Sequence, residues 1–139
     1  MSTQVASRQF DGPLIEVENL KTHFRTDRGL VRAVDGVSFT IDRGKALGIV
    51  GESGSGKTVL SRSIMGLLPN SGVELSGSIR FAGAEILGLP AKRMRHIWGS
   101  EMAMIFQDPM SSLNPVMKIG KQIAEPLKIH LDMSQSDAM

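Results

Sequence analysis

A glycine-rich octapeptide, GESGSGKT at residues 51–58, constrains the fold of this chain more than any other feature. It fits the pattern G-x-x-x-x-G-K-[ST] at every fixed position. Residues 46–50, directly before it, form a short apolar run that is typical of a strand buried on both faces of an α/β sheet. After it, apolar residues recur at helical spacing: Leu60, Ile64, Leu67 and Leu68. The order strand, glycine loop, helix over residues 46–68 predicts an α/β fold.

The positions of the octapeptide suit the binding of a polyphosphate. Its glycines permit backbone angles that are costly for other residues, so successive amides can point at an anion beside the positive end of a helix. Lys57 supplies an ammonium for the β- and γ-phosphates, and the Thr58 hydroxyl can coordinate a bridging Mg²⁺. The carboxylate of Glu52 is expected to point away, because it would repel phosphates. The predicted nucleotide-binding residues are Gly51, Glu52, Ser53, Gly54, Ser55, Gly56, Lys57, Thr58 and Val59.

The alternative for this segment is a glycine-rich turn that only packs a helix against a strand and leaves Lys57 in solvent. A match over eight residues, between an apolar run and an amphipathic segment, favours phosphate binding.

Composition narrows the function classes. With 139 residues, 41% of them apolar, the chain has enough material for one compact domain. The net charge of +2 does not mark a nucleic-acid binder, and the absence of cysteine excludes disulfides and thiolate metal sites. The three histidines have no neighbours at metal-ligand spacing, so no transition metal is predicted. No apolar run approaches the ~20 residues that cross a bilayer, so contact with a membrane should go through a partner.

The rest of the chain divides into short predicted elements. Residues 1–13 are expected to form a flexible tail, and residues 14–41 two antiparallel strands. Residues 78–81 should form a short strand, residues 91–98 a basic helix, and residues 102–106 a second buried strand. Apolar residues four apart predict a final helix that Pro126 should kink or divide. Because a typical sheet has ~5–6 strands and only two buried parallel-type strands are visible, the sheet is expected to be incomplete.

Residues 104–109, MIFQDP, resemble the glutamine loop of ATP-binding cassette (ABC) proteins. In that family the glutamine reaches the Mg²⁺ and the attacking water, and Gln107 is the matching residue. A neutral amide can approach the metal through its oxygen without adding charge. The alternative is a glutamine that caps the end of a strand.

Phe24 stands where the family carries an aromatic residue that stacks on adenine. The equally weighted alternative is that Phe24 is a core phenylalanine.

A narrower resemblance covers residues 14–131. GIVGESGSGKT, MGLLP and FQDPMSSLNPVMKIGKQIAEPL are similar to the ATPase subunits of dipeptide, oligopeptide and nickel importers. The resemblance implies the N-terminal part of a P-loop ABC nucleotide-binding domain, with an ATP-binding core and antiparallel β subdomain at 14–107 and the start of a helical subdomain at 108–139. It also implies ATP and Mg²⁺ as ligands, transmembrane permease subunits and a second ATPase subunit as partners, and a peripheral location on the cytoplasmic face of the membrane. Residues 111–119 would lie near the contact with the permease.

Three motifs of that family do not occur in these 139 residues: an LSGGQ-like signature, an apolar strand ending in Asp-Glu, and a later switch histidine. Since the missing glutamate orients or deprotonates water, the chain alone is expected to bind nucleotide weakly and to turn over little. The alternative function is a soluble cassette ATPase acting on DNA or the ribosome, which shares the phosphate and glutamine loops. The sequence after Gln107 favours transport.

Overall fold

The computed structural model of the chain describes residues 11–107 and 113–139. The elements in chain order are β1 (Ile15–Thr26), β2 (Gly29–Ile41), α1 (Lys57–Ile64), β3 (Val73–Phe81), β4 (Ala84–Glu85), α2 (Ala91–Met94) and α3 (Ile119–Leu131). The described residues form two compact units, one ending at Leu89 and the other beginning at Pro90. All four strands and α1 belong to the first unit.

The first unit is built on an antiparallel sheet with strand order β2-β1-β3-β4. β1 pairs with β2 across a tight turn in which the Thr26 hydroxyl donates to the Gly29 carbonyl at 2.8 Å. This confirms the predicted antiparallel pair. β3 is longer than the predicted strand at 78–81, because residues from Val73 onward also pair with β1. The core of the unit holds Val17, Leu20, Leu60 and Ile79.

β2 contains a bulge beside the start of α1. Thr22 pairs with Val34 and His23 pairs with Arg32, so Ala33 is an extra residue in β2 with no opposite residue on β1. A bulge of this kind locally interrupts the ladder and re-aims the backbone groups of the extra residue. Ala33 therefore has a carbonyl that can contact another element.

α1 ends earlier than its apolar pattern predicts. The N–H of Met65 bonds to the Ser61 carbonyl, and Gly66, with φ +64°, donates to the Ser63 carbonyl. A glycine in the left-handed region commonly terminates a helix. Leu67 lies beyond this end and is partly exposed, so the prediction of a helix over 58–68 is wrong for its last turn.

The two predicted buried strands, at 46–50 and 102–106, are absent from the described residues. Val50 is 94% exposed and Ile105 is 97% exposed, and the second segment contains only an isolated bridge between Met102 and Trp98. A strand is stable when a neighbouring strand satisfies its N–H and C=O groups, and here neither segment has a neighbouring strand within the described chain. An apolar run thus indicates that a segment can be buried, but it does not show that a neighbouring strand is present to pair with it.

The second unit contains short α2 and longer α3. α2 covers half of the helix predicted for 91–98, and the chain continues from it in turns such as the bond from the Trp98 N–H to the Met94 carbonyl. α3 confirms the predicted final helix, and Pro126 lies inside it without dividing it. Within the described ranges, no helix is long and apolar enough to cross a membrane.

The carboxylate of Glu85 joins β4 and the segment after it to β3. It accepts hydrogen bonds from the Ser78 hydroxyl, from the Ile79 N–H at 2.9 Å and from the Leu87 N–H at 3.1 Å. Partial burial raises the pKa of Glu85, but these hydrogen bonds and the nearby Arg80 outweigh it and hold the pKa below its ordinary 4.5. A carboxyl group with a lowered folded-state pKa stabilises the fold above its unfolded pKa, and this contribution is lost as the pH falls through the folded pKa.

Glu85→Gln is therefore expected to lower the free energy of unfolding at pH 7 by less than about 1 kcal/mol, because solvent screens this exposed group. The variant should also lose less stability than the unmodified chain between pH 6 and pH 3, as measured by urea midpoints. Glu18→Gln is the matched control, since the Glu18 side chain is exposed on the same sheet without a hydrogen bond in the described structure. The same acid dependence in both variants would contradict the role given to Glu85.

Candidate functional site

The octapeptide forms a tight loop that ends at the start of α1. Gly54 and Gly56 have φ of +82° and +89°, and the Ser55 N–H donates to the Glu52 carbonyl at 3.2 Å. These positive φ values explain why glycine occupies both positions.

The helix start leaves backbone donors available. Gly56 is the N-cap of α1 and no side chain caps the helix. The N–H of Leu60 is the first to reach a helical carbonyl, that of Gly56 at 2.8 Å. The N–H groups of Lys57, Thr58 and Val59 therefore lie at the positive end of α1 without an intrahelical acceptor. Such a group of donors is suited to an anion.

Gly56 also makes a close contact with the sheet. A Cβ on Gly56 would lie 2.2 Å from the carbonyl oxygen of Ala33, the extra residue of the β2 bulge. Gly54 differs, because a Cβ there would meet no atom within 4 Å. The loop thus rests on β2 through a contact that only glycine permits.

Lys57 is folded back over the loop. Its Nζ donates to the carbonyls of Gly51 at 2.8 Å and Glu52 at 2.7 Å, and to the Ser55 hydroxyl at 3.2 Å. Among the residues that the structure describes, Lys57 forms no ion pair with a carboxylate. Within the described part of the chain, its charge is therefore compensated by neutral dipoles alone. The loop does pack the start of α1 against β2, as the alternative expects, but Lys57 bonds within the loop instead of extending into solvent. Phosphate binding by the loop stays a prediction.

The other predicted loop residues are accessible in different degrees. Glu52, Ser53 and Thr58 are exposed, and the Glu52 carboxylate does not pair with Lys57. No hydrogen bond of the Thr58 hydroxyl occurs in the described part of the chain, and the hydroxyl lies in the first turn of α1. Val59 is half-buried, and its carbonyl accepts a bond from the Ser63 hydroxyl.

Phe24 lies in β1, paired with Val31 on β2 and Val73 on β3. Alternation along the strand puts it on the same side as Leu20 and Thr22, both fully buried. Phe24 itself is half-buried. Its predicted contact with adenine stays a prediction.

Gln107 belongs to the second unit and is exposed. The residues that follow it in the glutamine-loop pattern, 108–112, lie outside the described residues. Because residues 102–106 do not form a strand, Gln107 does not cap the end of a strand. Its predicted contact with Mg²⁺ stays a prediction. Across residues 11–107 and 113–139, no group of His, Cys, Asp or Glu side chains is arranged to hold a metal ion.

A family model described as ABC transporter matches residues 34–139. This match covers most of the chain and includes the octapeptide at 51–58 and Gln107. The chain belongs to the ABC transporter family. The resemblance drawn from the octapeptide and the glutamine-loop segment is thereby confirmed.

Relatives in the ABC transporter family carry names from peptide transport. The chain is 49% identical over 126 residues to an oligopeptide transport ATP-binding protein, OppD, of Bacillus subtilis, covering 90% of this chain and 35% of that protein. It is 48% identical over 127 residues to a dipeptide transport ATP-binding protein, DppD, of Lactococcus lactis, covering 91% of this chain and 36% of that protein. The chain is also 49% identical over 118 residues to the oligopeptide transport ATP-binding protein OppD of Haemophilus influenzae. That match covers 85% of this chain and 36% of that protein. The chain thus spans little more than a third of the length of these relatives.

A solved ABC structure has the same fold. It is the ATP-binding cassette MJ0796 in a dimeric post-hydrolysis state bound to ADP and Pi, with a TM-score of 0.72 at 20% identity. The likeness covers 89% of this chain and 52% of that one. The predicted class, the N-terminal part of an ABC-type α/β domain, is supported by this likeness.

Sequence reasoning missed two contacts that hold α1 and its N-cap against the sheet of this ABC chain. One is the contact of Gly56 with Ala33, and the other is a buried hydrogen bond between the hydroxyls of Thr22 and Ser63 at 2.8 Å. A signal for the second contact was present. Thr22 interrupts the buried side of β1, and Ser63 lies on the side of α1 that carries Leu60.

Proposed function

We propose that this chain is the ATP-binding portion of an ATPase subunit that energises the import of peptides or nickel through an ABC transporter. One observation carries the proposal: the loop at 51–58 combines backbone donors at a helix start with an ammonium that has no carboxylate partner among the described residues. The names of the relatives in peptide transport support import, rather than the alternative of a soluble ATPase acting on DNA or the ribosome.

The chain would hold the triphosphate through backbone and ammonium donors. The N–H groups of Lys57, Thr58 and Val59 would donate to phosphate oxygens, together with amides of the glycine loop. Lys57 would exchange the neutral carbonyls of Gly51 and Glu52 for the β- and γ-phosphate oxygens. Hydrogen bonds between charged groups are stronger than those to neutral carbonyls, so this exchange favours the bound state.

The hydroxyl of Thr58 fits the role of a Mg²⁺ ligand. It is exposed in the first turn of α1 and is not engaged by another group of the described structure. Mg²⁺ prefers oxygen ligands and, when bound, neutralises phosphate charge. The amide oxygen of Gln107 is the proposed second contribution of this chain, both to the metal and to the placement of the attacking water.

Hydrolysis and transport would be properties of the whole protein. The catalytic roles of Lys57 and Gln107 depend on the family's signature, Asp-Glu and histidine motifs, which do not occur in these 139 residues. A second ATPase subunit and transmembrane permease subunits are the proposed partners, on the cytoplasmic face of the membrane. We propose no nucleic-acid partner.

The second unit would contribute to the permease contact. Leu113, Val116 and Met117 are exposed, and Val116 is 89% exposed. They belong to the predicted contact at 111–119, of which residues 111 and 112 lie outside the described part. An ATP-binding core at 14–107 and a helical subdomain from 108 remain the proposed organisation.

Phe24 provides the test for nucleotide rather than simple phosphate binding. Phe24→Ala is expected to weaken ATP binding by about 5- to 150-fold, because base–aromatic stacking contributes ~1–3 kcal/mol. Affinity for inorganic tripolyphosphate should not change, since that ligand has no base. Isothermal titration calorimetry with both ligands measures the difference.

Phe39→Ala is the control, because Phe39 is a half-buried phenylalanine on β2, opposite Val17 and far along the strand from Phe24. It should change the affinities for ATP and tripolyphosphate equally, if at all. If Phe24→Ala weakens the binding of ATP and of tripolyphosphate to the same extent, the proposal that adenine stacks on Phe24 is wrong.

A further inference from the structure

A buried pair of hydroxyl groups joins α1 to the sheet. Thr22 on β1 is fully buried and Ser63 on α1 is 3% exposed. Their Oγ1 and Oγ atoms lie 2.8 Å apart. Hydroxyls at such positions cost stability unless each finds a hydrogen-bond partner, so this pair specifies how the helix sits on the strand.

The direction of the hydrogen bonds follows from a proton count. The Ser63 hydroxyl donates to the Val59 carbonyl at 2.7 Å. A hydroxyl has one proton, so Ser63 acts as acceptor toward Thr22, and Thr22 is the donor. The chain of bonds runs from Thr22 to Ser63 to the carbonyl of Val59. It ends in the first turn of α1, where the free N–H groups lie.

The same face of the hairpin carries Phe24. It follows Thr22 by two residues on the same side of β1, a distance of about 7 Å along a strand. The start of α1 touches the hairpin at a second point, where Gly56 meets the Ala33 carbonyl. α1 is therefore fixed to the hairpin near its beginning and again near Ser63.

We propose that Thr22 and Ser63 are positioning residues for ATP. The inference rests on the proposed function and adds a role that depends on the hydroxyl pair. The pair holds α1, and with it the phosphate loop, at a fixed spacing from Phe24. Adenine on Phe24 and the triphosphate in the loop can then be bound by one rigid arrangement.

This role predicts different effects on two ligands. Tripolyphosphate needs only the loop and the start of α1, which keep their local geometry when the link to β1 is removed. ATP needs the loop and Phe24 at the same time, and a small misplacement of two binding elements is costly for a ligand that spans them. The ratio of the two dissociation constants reports on spacing, whereas a loss of stability alone does not change it.

The decisive variant is Thr22→Val, which is nearly isosteric and removes the donor while the Ser63 to Val59 bond remains. We expect ATP to bind about tenfold more weakly and tripolyphosphate to stay within about twofold, measured by calorimetry. Thr22→Ser restores the donor and should restore the ratio. Ser63→Ala removes the acceptor and should change the ratio in the same direction. It therefore tests the positioning role if Thr22→Val does not fold.

Ile79→Val is the control, because Ile79 is fully buried on β3 of the same sheet and its side chain has no hydroxyl that could bond to α1. It should lower stability and leave the ratio unchanged. An unchanged ratio in Thr22→Val and Ser63→Ala, with Phe24→Ala still selective for ATP, overturns the positioning role and leaves the proposed function standing. If Phe24→Ala is not selective either, adenine does not stack on Phe24, and the positioning role fails while the phosphate-binding role of the loop stands. If the unmodified chain does not bind ATP, the nucleotide assignment fails and the positioning role with it.

Discussion

Lys57→Ala is expected to abolish ATP binding, with a loss of affinity of at least about 100-fold. Lys57 is the only cationic residue in the octapeptide, and its charge is not paired with a carboxylate in the described structure. Truncation removes the donor for the β- and γ-phosphates. It also removes the hydrogen bonds to Gly51, Glu52 and Ser55 that hold the two sides of the loop together.

Two further variants separate charge from loop geometry. Lys57→Met keeps the length of the side chain without the ammonium and should be as defective as alanine. Lys57→Arg keeps the charge, but a planar guanidinium cannot reproduce three bonds made by one Nζ, so affinity should recover only in part. Lys45→Ala is the control, since Lys45 is an exposed lysine of the same unit without a side-chain partner in the described range. Equal ATP affinity of Lys57→Ala and Lys45→Ala in calorimetry would contradict the account.

Gly56→Ala is expected to destabilise the first unit and to remove binding of both ATP and tripolyphosphate. The residue combines a φ of +89° with a position where a Cβ would lie 2.2 Å from the Ala33 carbonyl oxygen. The clash is with backbone, which cannot rotate away, so β2 or the loop has to move. We expect a loss of at least about 3 kcal/mol in the free energy of unfolding, measured by urea denaturation.

Gly54→Ala is the matched control for this variant. Gly54 has a similar φ of +82°, but a Cβ there meets nothing within 4 Å. Its cost is then the conformational strain alone, about 1–2 kcal/mol. If the two alanine variants have the same stability, the contact between Gly56 and Ala33 does not determine the shape of the loop.

The parts of the fold that follow from neighbouring residues could be predicted from the sequence. The octapeptide and the turn at Thr26 specify their own backbone, so the loop, the start of α1 and the β1–β2 pair are where the pattern puts them. The strands at 46–50 and 102–106 could not be derived in this way. Apolar composition shows that a segment can be buried, whereas strand structure depends on a neighbour elsewhere in the chain.

In the candidate site, too, the contacts between sequence neighbours could be predicted and those between distant residues could not. The donors at the start of α1 and the Lys57 ammonium come together because they are neighbours in sequence. The link between Thr22 and Ser63 joins residues 41 positions apart, and the support of Gly56 by Ala33 depends on a bulge in β2. The sequence marks Thr22 and Ser63 as polar residues on buried sides of their elements, but it does not give the distance between them or the contact of Gly56 with Ala33.

The N–H groups of Lys57, Thr58 and Val59 give the most direct test of the central claim, that a nest of backbone donors at the start of α1 binds a triphosphate. Their amide signals can be followed by two-dimensional NMR while ATP or tripolyphosphate is added. We expect all three signals to shift with both ligands, to saturate with one dissociation constant, and to stop responding in Lys57→Ala. Amide signals that stay in place while either ligand binds would show that the phosphates are held elsewhere and would contradict the account.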